Sequence, residues 1–127
     1  MKLRPRLKPR WYHRITVEPA PAPTRIRFGD REIAATVRAL LLTETRHRPV
    51  LYVPREDVAD DVLEVSPHTG YCPFKGEATY FTLRAGGRVA EGAAWTYRAP
   101  YDPVAQIVGH VGFDPRHVEI ERATPPA

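Results

Sequence analysis

The chain has 127 residues, 43% of them apolar and 27% charged, which fits one domain with a modest core. The formal net charge is +4, yet six basic residues and no acid fall within residues 1–14. The remainder holds 13 basic against 15 acidic groups, so the basicity belongs to a terminal arm and not to the body. No apolar run approaches the roughly 18 residues of a spanning helix, and no apolar stretch follows the basic start, which argues against a membrane protein and a secretory signal. One cysteine forms no internal disulfide and suits a reducing compartment, so the expected location is cytoplasmic.

In chain order, Lys2, Arg4, Arg6, Lys8 and Arg10 alternate, with Pro5 and Pro9 favouring extended backbone. The arm is read either as a solvated tail or as a clamp for nucleic acid or an acidic partner, and it is the one route to nucleic acid that the sequence offers. EPAPAPT (18–24) reads as a stiff linker, so residues 1–23 are expected to be arm and linker, 24–122 a single β domain and 123–127 a tail. Gly29-Asp30 marks a turn between strands at 25–28 and 32–37. Residues 38–45 suit a helix or a buried strand, and their β-rich surroundings favour the strand. VLYVP (50–54) is a short strand closed by Pro54, and 55–61 allows one helical turn with its acids early.

VLEVSP (62–67) alternates as a strand, and HTGYCPFKG (68–76) is expected to be an irregular loop. Two strands, 77–84 and 89–97, flank a tight turn at AGGR (85–88). Residues 98–106 read as loop with a turn of helix, and 107–113 with 117–122 as a last hairpin about Asp114-Pro115. Seven or eight short antiparallel strands with turns at this spacing predict a mainly β barrel or sandwich.

The loop around the only thiol carries the most chemistry. Cys72-Pro73-Phe74-Lys75 suits a type I turn, and Gly76 accepts a positive φ. Lys75 folded back towards Cys72, with His68 beside them, would lower the thiol pKa and give a nucleophile with an acid or base at hand. The alternative is that Cys72 and Phe74 plug one end of a core. Trp95 and Tyr97 share one strand face, with Tyr80 expected on the partner strand. Arg38, Glu44, Tyr52 and Arg55 are polar groups near strand ends, and a guanidinium at Arg55 suits either a ligand carboxylate or phosphate or a structural pair with Glu44.

Metal chemistry has little support. A single cysteine rules out a zinc knuckle, and His13, His47, His68, His110 and His117 show no i, i+4 pairing. Glu56, Asp57, Asp60 and Asp61 form an acidic run that reads as a solvated helical turn or, in a nucleotidyl-transfer variant, as a Mg²⁺ site. No cofactor motif, P-loop or G-x-S-x-G elbow occurs.

VRALLLTET (37–45), VLYVPREDV (50–58), HTGYCPFKGEATYF (68–81) and AAWTYRAP (93–100) resemble, in kind and order, the bacterial family named domain of unknown function 427, over about residues 24–120. Phe74 stands where that family usually has tyrosine, and Arg98-Ala99 separates Tyr97 from a proline that usually follows directly. The resemblance implies a mainly β fold similar to the β-tent group, without that group's zinc knuckles. It also brings a nucleotidyltransferase-like label, for which the usual Gly-Ser and Asp-x-Asp pattern is missing here.

Three functions follow as expectations. The first is a small-molecule site for an anionic or polar-aromatic ligand, lined by Tyr52, Arg55, Cys72, Lys75, Trp95 and Tyr97, with Arg38 and Glu44 as further ligand-binding residues. The second is an enzyme with Cys72 as nucleophile, His68 as acid or base and Lys75 or Arg55 holding an anion. The third is an interaction module, with a homodimer left open, that docks through its basic arm.

Overall fold

The computed structural model describes residues 13–122. Gly29 takes a φ of +60°, which lets a two-residue turn join β2 (Thr24–Phe28) to β3 (Arg31–Thr36) with Phe28 opposite Arg31. The same turn chemistry at Gly86-Gly87 joins two ten-residue strands, β7 (Gly76–Ala85) and β8 (Arg88–Tyr97). The other strands are β1 (Ile15–Pro19), β4 (Leu40–Glu44), β5 (Val50–Pro54), β6 (Leu63–Cys72), β9 (His110–Phe113) and β10 (Glu119–Arg122). Single 3₁₀ turns occur at Arg55–Asp57 and Asp60–Val62, and a longer one at Asp102–Ile107.

The strands form two antiparallel sheets. Seven lie in the order β1-β4-β5-β9-β8-β7-β6 and three in the order β10-β2-β3. The large sheet does not close on itself, so of the two expected architectures the fold is sandwich-like. Ile26, Phe28 and Ile33 of the small sheet meet Val53, Phe81, Leu83, Val111 and Phe113 of the large one in the main core. The opposite face of the large sheet is apolar too. Leu42, Tyr52, Ala78 and Tyr97 pack there under Val104 and Ile107 of the 102–107 turn, with Ile15 and Val17 of β1 against them. A strand buried on both faces explains why VLYVP is a continuous apolar run.

Four expectations need correction. Ten strands are present among the described residues, and three of them have ten residues. Ile15–Pro19, expected within the arm and linker, pairs residue for residue with β4 and forms one edge of the large sheet. His68–Cys72, expected as irregular loop, continues β6, because Thr69 to Cys72 find partners from Thr79 to Gly76. Between Val65 and Thr69 the register slips, and Pro67 lies in that bulge on the outer edge of the sheet.

The fourth correction concerns the last hairpin. A turn does form after Asp114, whose carboxylate accepts the Arg116 amide at 2.9 Å. The two strands nevertheless part: β9 inserts between β5 and β8, while β10 crosses to pair Ile120 with Ile26 in the small sheet. Turn chemistry reverses the chain without choosing the sheet it returns to.

Candidate functional site

The outer face of the large sheet carries a row of aromatic groups in register. Tyr52 of β5 stands opposite Gly112 of β9, Gly112 opposite Trp95 of β8, and Trp95 opposite Tyr80 of β7. A Cβ at position 112 would lie 2.8 Å from Nε1 and Cε2 of Trp95, so glycine is what lets the indole lie across the central strand. In that pose Nε1–H of Trp95 donates to the Tyr52 hydroxyl at 3.1 Å. Burial pushes the Tyr52 phenol up to about 12, against which the Trp95 hydrogen bond works only in part. Burial raises Tyr97 as well, in the same neutral direction.

Above this shelf opens a hollow of about 490 Å³. Its floor includes Leu42, Tyr52, Tyr80, Trp95 and Tyr97, and its sides carry Glu44, Lys75, Arg48 and Arg116. That combination of aromatic walls and a few convergent charges is the usual make-up of a small-molecule pocket.

One side is a packed polar cluster. The turn after β6 closes with the Lys75 amide donating to the Cys72 carbonyl at 3.2 Å. The Lys75 carbonyl in turn accepts from the Tyr101 amide at 3.0 Å, tying the turn to the segment before the last 3₁₀ element. Gly76 completes the turn at a φ of +111°, with the Ala99 carbonyl 3.2 Å from where a Cβ would sit. Held this way, Lys75 Nζ donates to Glu44 Oε1 at 2.6 Å, and both side chains are largely buried, at 13% and 6% exposure. Lys75 Nζ also lies 3.7 Å from Cys72 Sγ. His13 stacks on Phe74 with ring centroids 3.9 Å apart. Its buried Nε2 is 3.1 Å from the second Glu44 oxygen without being aligned as a hydrogen bond.

The opposite rim is more open. Arg116 is paired with Asp114, whose carboxyl the guanidinium holds below the usual carboxylate range, while Arg116 itself stays largely exposed. Arg48 is also exposed and, among the described residues, has no carboxylate partner. With Lys75 matched by Glu44 and Arg116 by Asp114, Arg48 leaves the hollow with one positive charge in excess.

The expected site residues therefore divide. Glu44, Tyr52, Lys75, Trp95 and Tyr97 line one hollow, and Cys72 lies just beneath it against the second apolar cluster. Arg55 is elsewhere, paired with Asp60 at 3.1 Å and donating to the Val58 carbonyl. Arg38 is engaged with Glu56 and Asp57, and Arg31 with Asp61, so each carboxylate of the acidic run meets an arginine. Among the described residues no group of three His, Cys, Asp or Glu side chains is arranged to hold a metal. His68 is exposed on β6, four residues before Cys72, a separation of about 13 Å along an extended strand. The geometry brings Lys75 to the thiol and keeps His68 away from it.

Arg48, His47 and Arg116 escaped the sequence reading. RHRP (46–49) looks like any polar loop, and only the fold of β4 onto β5 turns it towards the hollow. Tyr80 was legible through its place opposite Trp95. The basic run from Lys2 to Arg10, which carries the nucleic-acid reading, lies outside the described residues. No helix among the described residues is long and apolar enough to cross a membrane.

No curated protein matches the chain. Residues 16–124 do match the profile of one family, described as Domain of unknown function (DUF427), and the chain belongs to that family.

Proposed function

We propose that this is a cytoplasmic small-molecule-binding β domain whose ligand, anionic or polar-aromatic, occupies the hollow above Tyr52, Trp95 and Tyr97. The observation that carries this reading is one concave site with an aromatic floor and a cation, Arg48, that no carboxylate among the described residues neutralises. A planar group stacks against the indole, and a carboxylate or phosphate meets the guanidinium at the rim. Lys75 is already matched by Glu44, so its role is to set the wall's shape and polarity. The lone cysteine agrees with a reducing compartment.

The test is a thermal-shift panel of mononucleotides, aryl carboxylates and aliphatic carboxylates. Ligands of the native state raise the midpoint as concentration exceeds Kd. A hit should weaken about tenfold in Arg48→Ala, the loss of roughly 1.4 kcal/mol of charge-assisted hydrogen bonding. If no class raises the midpoint, or hits ignore Arg48→Ala, the reading fails.

A second reading, an enzyme with Cys72 as nucleophile, draws on the Lys75 ammonium 3.7 Å from the thiol. Alkylation by iodoacetamide decides it. Rapid modification below about pH 8 supports a thiolate, and an inert thiol ends the idea.

A further inference from the structure

A second hollow, of about 530 Å³, adjoins the first. The two share Arg48, Val50, Trp95 and Pro115 in their linings. Their characters differ. The first gathers Lys75, Arg116 and the tyrosines, whereas eight of the ten residues lining the second are apolar, among them Leu41, Leu51, Phe113 and Ile120. The reason lies in the strand lengths. Pairing between β5 and β9 ends at Tyr52 and Gly112, so Val50 and Leu51 are bonded only to β4. Beyond Phe113 the chain turns away at Asp114, and β10 departs for the other sheet. The large sheet is thus incomplete beside Trp95, at the point where its outer face and the inter-sheet space come together.

We propose that the two hollows are one binding path and that the ligand is an amphipathic anion. Its carboxylate or similar head sits in the polar lobe on Arg48, and an unbranched hydrocarbon tail passes Trp95 into the apolar lobe between the sheets. This deepens the ligand-binding reading and rests on it. Charge complementarity selects the head, because Arg48 stands at the junction of the two hollows and has no carboxylate partner among the described residues. Shape and polarity select the tail, because Leu41, Leu51, Phe113 and Ile120 offer no hydrogen-bonding side chain to a polar group, and the polar residue of this lobe other than Arg48 is the exposed Arg122.

The experiment is isothermal titration of the full chain with butyrate, hexanoate, octanoate and decanoate, with benzoate as a head-only probe and decyltrimethylammonium as a cationic control. Each buried methylene should tighten Kd about fourfold until the apolar lobe is filled. Decyltrimethylammonium should bind at least about tenfold more weakly than decanoate. Leu41→Gln and Ile120→Gln, tested separately so that one folded variant suffices, should flatten the chain-length dependence and leave benzoate binding unchanged. Acids of every length binding alike, with benzoate still lost in Arg48→Ala, would overturn the tail path and leave the polar site standing. Equal affinity for decanoate and decyltrimethylammonium would overturn selection by charge. Silence from every carboxylate, alongside a nucleotide hit in the thermal-shift panel, would also defeat the amphiphile while sparing the broader reading.

Discussion

Gly112 shows how much a single missing Cβ decides at this site. Any side chain there displaces the indole of Trp95, and the hydrogen bond to Tyr52 goes with it. Gly112→Ala is expected to cost about 2 kcal/mol, combining overpacking with a buried hydroxyl that loses its donor, measured by urea denaturation. The Glu44–Lys75 pair makes a second case. Either partner alone is a nearly buried charge, so Glu44→Gln or Lys75→Met should each destabilise by about 3 kcal/mol. The double variant should recover a large part of that loss, and a double-mutant cycle measures the recovery. Strict additivity would mean that the ion pair is not formed in solution.

Among the strands, β1 is the one whose role departs most from its sequence. ITVEP is short, half polar and followed by a proline-rich run, so nothing local marks it as part of a sheet. It becomes a strand because Leu40–Glu44 offers an unpaired edge and because Ile15 and Val17 cover the second apolar cluster. Removal of residues 1–19 is expected to leave Leu40 and Leu42 uncovered and to lower the unfolding midpoint by several degrees. Increased self-association on size-exclusion chromatography should accompany it, as an exposed apolar edge attracts other chains. The hairpins at Gly29-Asp30 and Gly86-Gly87 were legible because their turns are specified by adjacent residues. The same locality misled at Asp114-Pro115, where the turn was right and the destination of β10 was set by Ile26 and Arg27, far away in sequence. Site residues followed the same divide. Trp95, Tyr97 and Tyr80 could be grouped by alternation along paired strands, whereas the partners of Arg38 and Arg55 are chosen by folding, which pairs Arg55 with Asp60 and leaves Glu44 to Lys75.

At the scale of the whole molecule, the two faces of the large sheet divide the work. The inter-sheet core holds the sandwich together, and the outer face, less completely covered, carries the hollow. The buried phenols of that outer face tie its chemistry to global stability. Tyr52 is neutral in the fold up to about pH 12, against 10.0 for a free phenol, and Tyr97 is shifted the same way. Unfolding therefore releases protons above pH 10, so the stability is fully present below pH 10, does not depend there on these phenols' titration, and is lost as pH rises through the folded value of Tyr52. The slope due to Tyr52 approaches about 1.4 kcal/mol per pH unit between those values. Denaturation midpoints followed across pH 9 to 12 should show this decline, and Tyr52→Phe should make it shallower. A decline that Tyr52→Phe leaves untouched would place the titrating group elsewhere.

The bulge at Pro67 reaches beyond the single chain. On the flank of the large sheet away from β1, a newcomer strand meets a proline with no amide to offer and residues thrown out of step with those on either side. Fibrous stacking needs an unbroken sequence of rungs, and on that side the protein supplies a ladder with its middle missing.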